Sequence, residues 1–384
     1  MNGLDQWEKL VQKQLKTEDI DAILRKENLE DIEVRPYYHN NSESPTLPKV
    51  EESTHLVARY QDGLEDQAFA FLLEENVEGL QEKVIFINNA DLAEHILTEE
   101  SNRYFSLVDV FSDDQTATIH EHLAGELLSK TFERPICVDV SLHQNAGASI
   151  VQQLAIALAK SKELIEKWGP EILDKLLFRL AIGSNYFFEM AKIRAFKYIF
   201  NQLSKEFEKD LIPYIFTETS FRNKAKNDEE NNLIRSTLEL ASAMIGGADA
   251  VFSHDYKIEG HTKLSEEIAF KQQIVLAYES IINVFEDAAA GSYFVEDITQ
   301  QLADKSWQLF LELEEKGGYL ELLKSGGIQK MIAEHAMKEQ LWVEEGRIKL
   351  IGINLYPQLE KRKSAEDLYD NEKIKPVRLA EMFE

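Results

Sequence analysis

Residues 135–183 read PICVDVSLHQNAGASIVQQLAIALAKSKELIEKWGPEILDKLLFRLAIG, and they hold one complete unit of the fold. Pro135–Ser141 reads as a strand, because Val138 and Val140 alternate with Asp139 and Ser141 at the two-residue period of a pleated chain. Ala148–Lys167 reads as a helix, with Ile150, Val151, Leu154, Ala155 and Leu158 on one apolar face. Leu176–Gly183 returns to a β-rich run. Strand, polar loop, amphipathic helix, strand is the βαβ unit of a parallel sheet.

The unit repeats in both directions. Upstream, His55–Tyr60 precedes an expected helix over Gln67–Leu80, Lys83–Asn88 precedes Ala90–Thr98, and Tyr104–Val110 precedes Ile119–Lys130. Downstream, Leu176–Gly183 precedes Tyr186–Phe207, where Met190, Ile193, Phe196 and Phe200 share a face. Leu211–Thr217 precedes Glu230–Ile245, Ala250–His254 precedes Ser265–Phe285, and Tyr293–Val295 precedes Ile298–Lys316. Eight strand–helix pairs in about 260 residues predict an α/β chain closed as a (β/α)8 TIM barrel. The rival is an open doubly wound sheet, but neither GxGxxG nor GxxxxGK[ST] occurs.

The reading places the barrel at 55–320. Residues 1–54 form an N-terminal extension, with an amphipathic helix at 4–16 (Leu4, Trp7, Leu10, Val11) and a polar, proline-bearing loop at His39–Thr54. Residues 321–384 form a C-terminal helical segment and, from Tyr356, a charged tail that reads as wrapping something.

The net charge of −27 repels phosphate backbones and disfavours nucleic acid. No run of about 18 apolar residues appears, so no membrane span is expected. The N-terminus, MNGLDQWEKLVQKQL, lacks a basic start followed by an apolar stretch, and the expected location is cytoplasmic. The single cysteine, Cys137, reads as a reduced core thiol.

Two motif-like clusters lose to bland readings. His120 and His122 stand two apart, so on a helix they diverge, and no metal site is expected. Ser253, His254 and Asp255 are strand neighbours and point to alternate faces, so they form no relay among themselves. Barrel chemistry gathers at the C-terminal strand ends. Three of these are polar or small: Ser141–Ala148, Gly183-Ser184-Asn185 and Glu218-Thr219-Ser220. Gly147 and Gly183 read equally well as turn glycines or as places where backbone approaches a ligand.

At these strand ends the chain resembles the barrel domain of the methylmalonyl-CoA mutase family. The matching stretches are SLHQNAGASIVQQLAIALA, IGSNYFFEMAKIRAFKYIF, ETSFRNKAKNDEENNLIRSTLELASAMIGGA and SEEIAFKQQIVLAYES, then EDAAAGSYFVEDITQQLADKSW, EEKGGYLELLKSGG and GRIKLIGINLYPQLE. They run in order from Ser141 to Glu360. The resemblance implies an adenosylcobalamin-dependent radical rearrangement, with an acyl-CoA threaded along a hollow barrel axis.

The departures from the family pattern imply a supporting part. The family loop YHMQEAGA, aligned on AGA, places Ser141 and Leu142 at its catalytic positions and leaves His143 out of register. HCQTSGW becomes FTETSFR, so Phe216 replaces a histidine and Glu218 a glutamine. SARIARNTQ becomes SEEIAFKQQ, bringing Glu267 and Phe270 while Gln273 survives. Lys175 stands for an arginine. Neither leucine nor phenylalanine can donate a hydrogen bond to a carbonyl.

The catalytic set is therefore expected to be absent. Gln144, Gly147, Lys175, Thr219, Ser220 and Gln273 are expected as remnants of the substrate pocket. Leu142, Phe216 and Phe270 are expected to partly fill the barrel. No DxHxxG occurs and 28 residues follow Tyr356, so no cobalamin-binding domain is expected. The resemblance thus implies a small, non-catalytic subunit that binds no cofactor itself. Its partner would be a catalytic large subunit carrying adenosylcobalamin. The alternative is a stand-alone barrel that binds an acyl-CoA or other small molecule.

Overall fold

A computed structural model describes residues 3–24, 26–38, 46–369 and 372–384. In chain order the N-terminal extension carries α1 (Gly3–Leu15) and α2 (Asp21–Leu24). The first half of the barrel follows: β1 (His55–Arg59), β2 (Ala70–Leu73), β3 (Val84–Ile87), α3 (Ala90–His95), β4 (Arg103–Ser106) and α4 (Glu121–Ser129). The second half has β5 (Ile136–Asp139), α5 (Ser141–Asn145), α6 (Ile150–Trp168), β6 (Leu176–Ile182), α7 (Tyr186–Lys205), β7 (Tyr214–Thr219), α8 (Asn231–Ile245), β8 (Ala250–Phe252) and α9 (Lys263–Ile274). Three helices close the chain: α10 (Tyr293–Glu315), α11 (Gly318–Lys324) and α12 (Gly327–Glu344).

The eight strands are all parallel, in the order β4-β3-β2-β1-β8-β7-β6-β5. The two ends of that row meet through isolated bridges, Phe105 to Arg134 and Asp109 to Cys137, and Ser106 N donates to Arg134 O at 3.0 Å. The sheet is a nearly closed (β/α)8 barrel.

Seven of the expected strands are present, and the eighth is a different one. Gln67–Leu80 is not a helix: Ala70–Leu73 inside it is β2, with all four residues buried. A barrel strand is covered on both faces, so AFLL shows no alternation that would betray it. Tyr293–Val295 is not a strand but the first turn of α10, and β8 pairs directly with β1.

Local chemistry explains the long helices of the second half. At the start of α6 the Ser149 Oγ accepts from Gln152 N while Gln152 Oε1 accepts from Ser149 N, a capping box. Both carboxylate oxygens of Glu30 accept from Ile150 N and Val151 N, placing negative charge at the helix's positive end. Gly169 (φ 79°) and Pro170 end the helix. Inside the wall, Phe178 of β6 packs edge-on against Phe196 and Phe200 of α7, at 4.7 and 4.9 Å.

Within the extension Trp7 of α1 stacks on Tyr37 at 5.6 Å, and the neighbouring Tyr38 meets Phe294 of α10 edge-on at 5.2 Å. Of the loop expected at 39–54, residues 39–45 lie outside the described residues. The tail after Tyr356 folds back on its own barrel: Leu368, Val377, Leu379, Ala380, Met382 and Phe383 bury against Ala225 and Val343. It wraps this chain's C-terminal face, because its apolar residues are interleaved with the charges that dominate its composition.

Candidate functional site

The axis of the barrel is occupied by its own side chains. Val57, Leu72, Phe86, Phe105, Cys137, Leu177, Tyr214, Phe216 and Phe252 point inward from successive strands and form one buried cluster. Phe86 lies 5.1 Å from Phe105 and 5.0 Å from Phe216, and Phe105 lies 4.7 Å from Tyr214. Phe216 thus fills the interior as the sequence implies. Leu142 and Phe270 do not. Leu142 is half-buried on the short helix α5, which turns it away from the axis. Phe270 sits in the cluster outside the barrel wall, because α9 packs there.

An ionic layer, with Glu218 buried and Arg179, Asp139 and His254 partly buried, lies above the aromatic one. Arg179, two residues after inward Leu177, donates to Glu218 Oε2 through Nε (2.9 Å) and Nη2 (2.5 Å), and to Asn88 Oδ1 through Nη1 (2.8 Å). Asp139 and His254 complete the layer, at 3.4 Å from Arg179 and Glu218 respectively. Burial would push the Glu218 carboxyl up, but the Arg179 charge and His254 prevail and hold it at about 2. Glu218 is therefore not a free charge facing the mouth but half of an ion pair that caps the axis.

The three polar strand ends singled out in the sequence do converge. Ser220 Oγ lies 2.9 Å from Gln144 Oε1 and 3.1 Å from Asn145 Oδ1, and Thr219 Oγ1 accepts from His254 N at 3.0 Å. Ser141 N donates to Asp139 Oδ1 at 2.7 Å. Gly147 (φ 104°) is required by its surroundings: an added Cβ would lie 2.4 Å from Ala336 Cβ of α12. Its close neighbour is therefore a helix and not a ligand. At Gly183 the near groups are Glu189 Oε1 and Gln144 Nε2. A cavity of about 350 Å³ opens between these loops and α12, lined by Gln144, Ser184, Glu189, Ser220, His335 and Trp342 among others.

Gln273 and Lys175 lie elsewhere. Gln273 Nε2 donates to Val57 O at 3.1 Å beside a second cavity, of about 200 Å³, shared with Arg59, His254 and Phe270. Lys175 is exposed just before β6, at the opposite end of the barrel from the three polar strand ends.

His143 points away from the axis. Tyr319 OH donates to Asp113 Oδ1 at 2.5 Å, so it must accept from His143 Nε2–H at 3.0 Å, which leaves Nδ1 buried without a partner. Burial depresses the imidazole to about 4. Lys160 lies in the same pocket, paired with Asp109 (2.7 Å) and Asp113 (3.0 Å).

Sequence reasoning missed Arg179 and the clip made by Arg222. The signal for Arg179 was present: a lone arginine in LLFRLAIG with the inward parity of Leu177. Arg222 Nη1 donates to Val377 O (2.7 Å) and Nη2 to Tyr369 OH (2.9 Å), while its Nε meets Glu339 at 2.7 Å. Leu379 N returns a bond to Arg222 O, and Val377 N bonds Asn145 O. These bonds pin the tail over the β5 and β7 loops.

At the C-terminal end of the axis the Arg179–Glu218–His254 layer lies across it, with phenylalanines beneath. Among the described residues, no group of three or more His, Cys, Asp or Glu side chains could hold a metal ion. No helix among them is long and apolar enough to cross a membrane.

Fold and site together define a parallel barrel with a self-filled axis and an ionic layer across its C-terminal end. The family model for methylmalonyl-CoA mutase matches residues 127–384, about two thirds of the chain, and the protein belongs to that family. It is 33% identical over 252 residues to the methylmalonyl-CoA mutase of Cereibacter sphaeroides, covering 62% of this chain and 35% of the relative. The methylmalonyl-CoA mutase small subunit of Porphyromonas gingivalis is 33% identical over 226 residues, covering 56% and 37%. The mitochondrial enzyme of Bos taurus is 30% identical over 250 residues, covering 60% and 33%. The chain spans about a third of the length of the curated relatives it matches.

Proposed function

We propose that this chain is the small, non-catalytic subunit of an adenosylcobalamin-dependent methylmalonyl-CoA mutase. The observation that carries the reading is the occupied axis. An acyl chain cannot pass a barrel centre where Phe86, Phe105, Tyr214 and Phe216 are in mutual contact and Arg179–Glu218 lies across the exit. The positions that would bind a thioester carbonyl hold Leu142 and Phe216, which have no donor. The relative from Porphyromonas gingivalis, named a small subunit, supports the same reading.

On this reading a large subunit holds the cobalamin and interconverts (R)-methylmalonyl-CoA and succinyl-CoA by radical rearrangement. This chain's residues supply a rigid, water-free scaffold beside it. On the same reading the helix at 4–16 and the loop at 39–54 wrap the large subunit, and the complex is cytoplasmic. The test is co-expression with the large subunit. A stoichiometric complex is expected, with no turnover of methylmalonyl-CoA by this chain alone when adenosylcobalamin is supplied. A chain that ignores the large subunit, or turns over substrate alone, overturns the reading.

One observation favours a second reading. The cavity of about 350 Å³ beside α12 is large enough for a small polar molecule. A stand-alone binding barrel would use it, and calorimetric titration with acyl-CoA esters would show heat. Absence of heat removes that reading.

A further inference from the structure

The outer wall over β7 and β8 carries a surface that the described residues leave uncovered. Gln272 Nε2 of α9 donates to Leu233 O at 2.6 Å and Thr237 Oγ1 at 2.8 Å, locking α8 and α9 side by side. Leu238 of α8 is exposed, and so are Val275 and Tyr278 just past the end of α9, Tyr278 to 76%. There the helix widens into a π turn, Val275–Glu279. Ile281 follows with φ 54° and stays exposed, and Val284 and Phe285 are exposed after it. A β-branched residue rarely takes that conformation. The segment is held there by Asn283, whose carbonyl accepts from Thr54 N and Lys49 Nζ, both at 3.0 Å.

The patch is unlike the rest of the molecule in charge. Gln272–Phe285 contains one charged residue, Glu279, in a chain that is 29% charged. Apolar, aromatic and charge-poor composition marks the core of a protein interface, not a solvated face. A second copy is a poor occupant. It brings another −27 charges to a face whose edge already carries the acidic residues Glu279 and Glu286.

We infer that this α8–α9 face docks a different chain, one that presents an uncharged apolar surface rimmed by lysine or arginine. Resting on the function proposed above, that chain is the catalytic large subunit.

The experiment titrates the chain against separately purified large subunit. V275D/Y278D is expected to bind at least 100-fold more weakly, and Tyr278→Asp alone, at a side chain 76% exposed, to weaken binding with unchanged thermal unfolding. Leu97→Asp, exposed on the other side of the barrel, serves as control and is expected to bind normally. Wild-type affinity in V275D/Y278D overturns the surface but leaves the subunit reading standing. Failure of the unaltered chain to bind overturns both. A homodimer that these substitutions dissolve overturns the heterologous partner and assigns the face to a second copy.

Discussion

The half of the barrel from β5 to β8 is backed by α6, α7 and α8, of 19, 20 and 15 residues. In the half from β1 to β4, the crossovers from β1 to β2 and from β2 to β3 contain no helix, and α3 has six residues. The family match begins at residue 127, so it covers the helix-backed half and not the loop-backed one. A strand backed by a capped amphipathic helix is held by local pattern and by packing together. A strand backed by loops depends on the interior it faces. The axial layer joins the two, because Arg179 of β6 reaches across to Asn88 after β3.

The largest expected effect contrasts the two walls directly. Phe178→Ala, among the rings of α7, is expected to cost about 3–5 kcal/mol. Phe71→Ala in β2, equally buried but covered by loops that can collapse, is expected to cost about 2–3 kcal/mol. Equal losses would erase the contrast.

Next comes a test of the axial joint. Glu218→Ala removes the closer of the two carboxylates on Arg179, leaving only Asp139 at 3.4 Å, and is expected to cost about 3 kcal/mol by denaturant unfolding. The double variant Arg179→Met/Glu218→Leu should recover most of the loss. If Glu218→Ala alone is neutral, the ionic cap does not hold the halves together.

Acid should then act on the two halves in different windows. In the helix-backed half, burial holds His143 at about 4, below its ordinary 6.5. The unfolded chain therefore takes the proton first, and stability present above pH 6.5 falls as pH drops toward 4. At the foot of β1, burial would raise Glu51, but His55 and Arg103 hold it at about 2 against an ordinary 4.5. Its contribution is full above pH 4.5 and is lost toward 2. Each slope is at most one proton, about 1.4 kcal/mol per pH unit. His143→Gln should flatten the upper window and Glu51→Gln the lower, measured by unfolding midpoints against pH.

The smallest effect involves no change of sequence. Backbone amides in 60–69 and 74–83 should exchange with deuterium faster than those of α6 and α7. Uniform protection would mean that the loops back their strands as firmly as the helices do.

The same contrast explains what the sequence could show. In the helix-backed half every expected strand and helix is present, because Ile150–Leu158 and Met190–Phe200 carry a periodicity that local physics enforces. In the other half β2 was hidden: AFLL has no period, and the acidic residues after it imitate a polar helix face. At the site, Phe216 could be read as a filling residue because strand parity fixes its direction. Leu142 could not, because it follows the strand on a helical turn.

The sequence alone determined the repeat of strand and helix, the SLHQNAGA loop on which the resemblance to the family was read, and the presence there and in β7 of Leu142 and Phe216, which carry no hydrogen-bond donor. These are local facts of periodicity and side-chain chemistry. Only the tertiary structure decided that β8 closes on β1, that Arg179 and Glu218 cap the axis over a stack of phenylalanines, and that the tail returns through Val377 to Asn145 and Arg222. Each of these joins residues far apart in the chain. No local period encodes them, because they exist only once burial has brought the distant partners to one place.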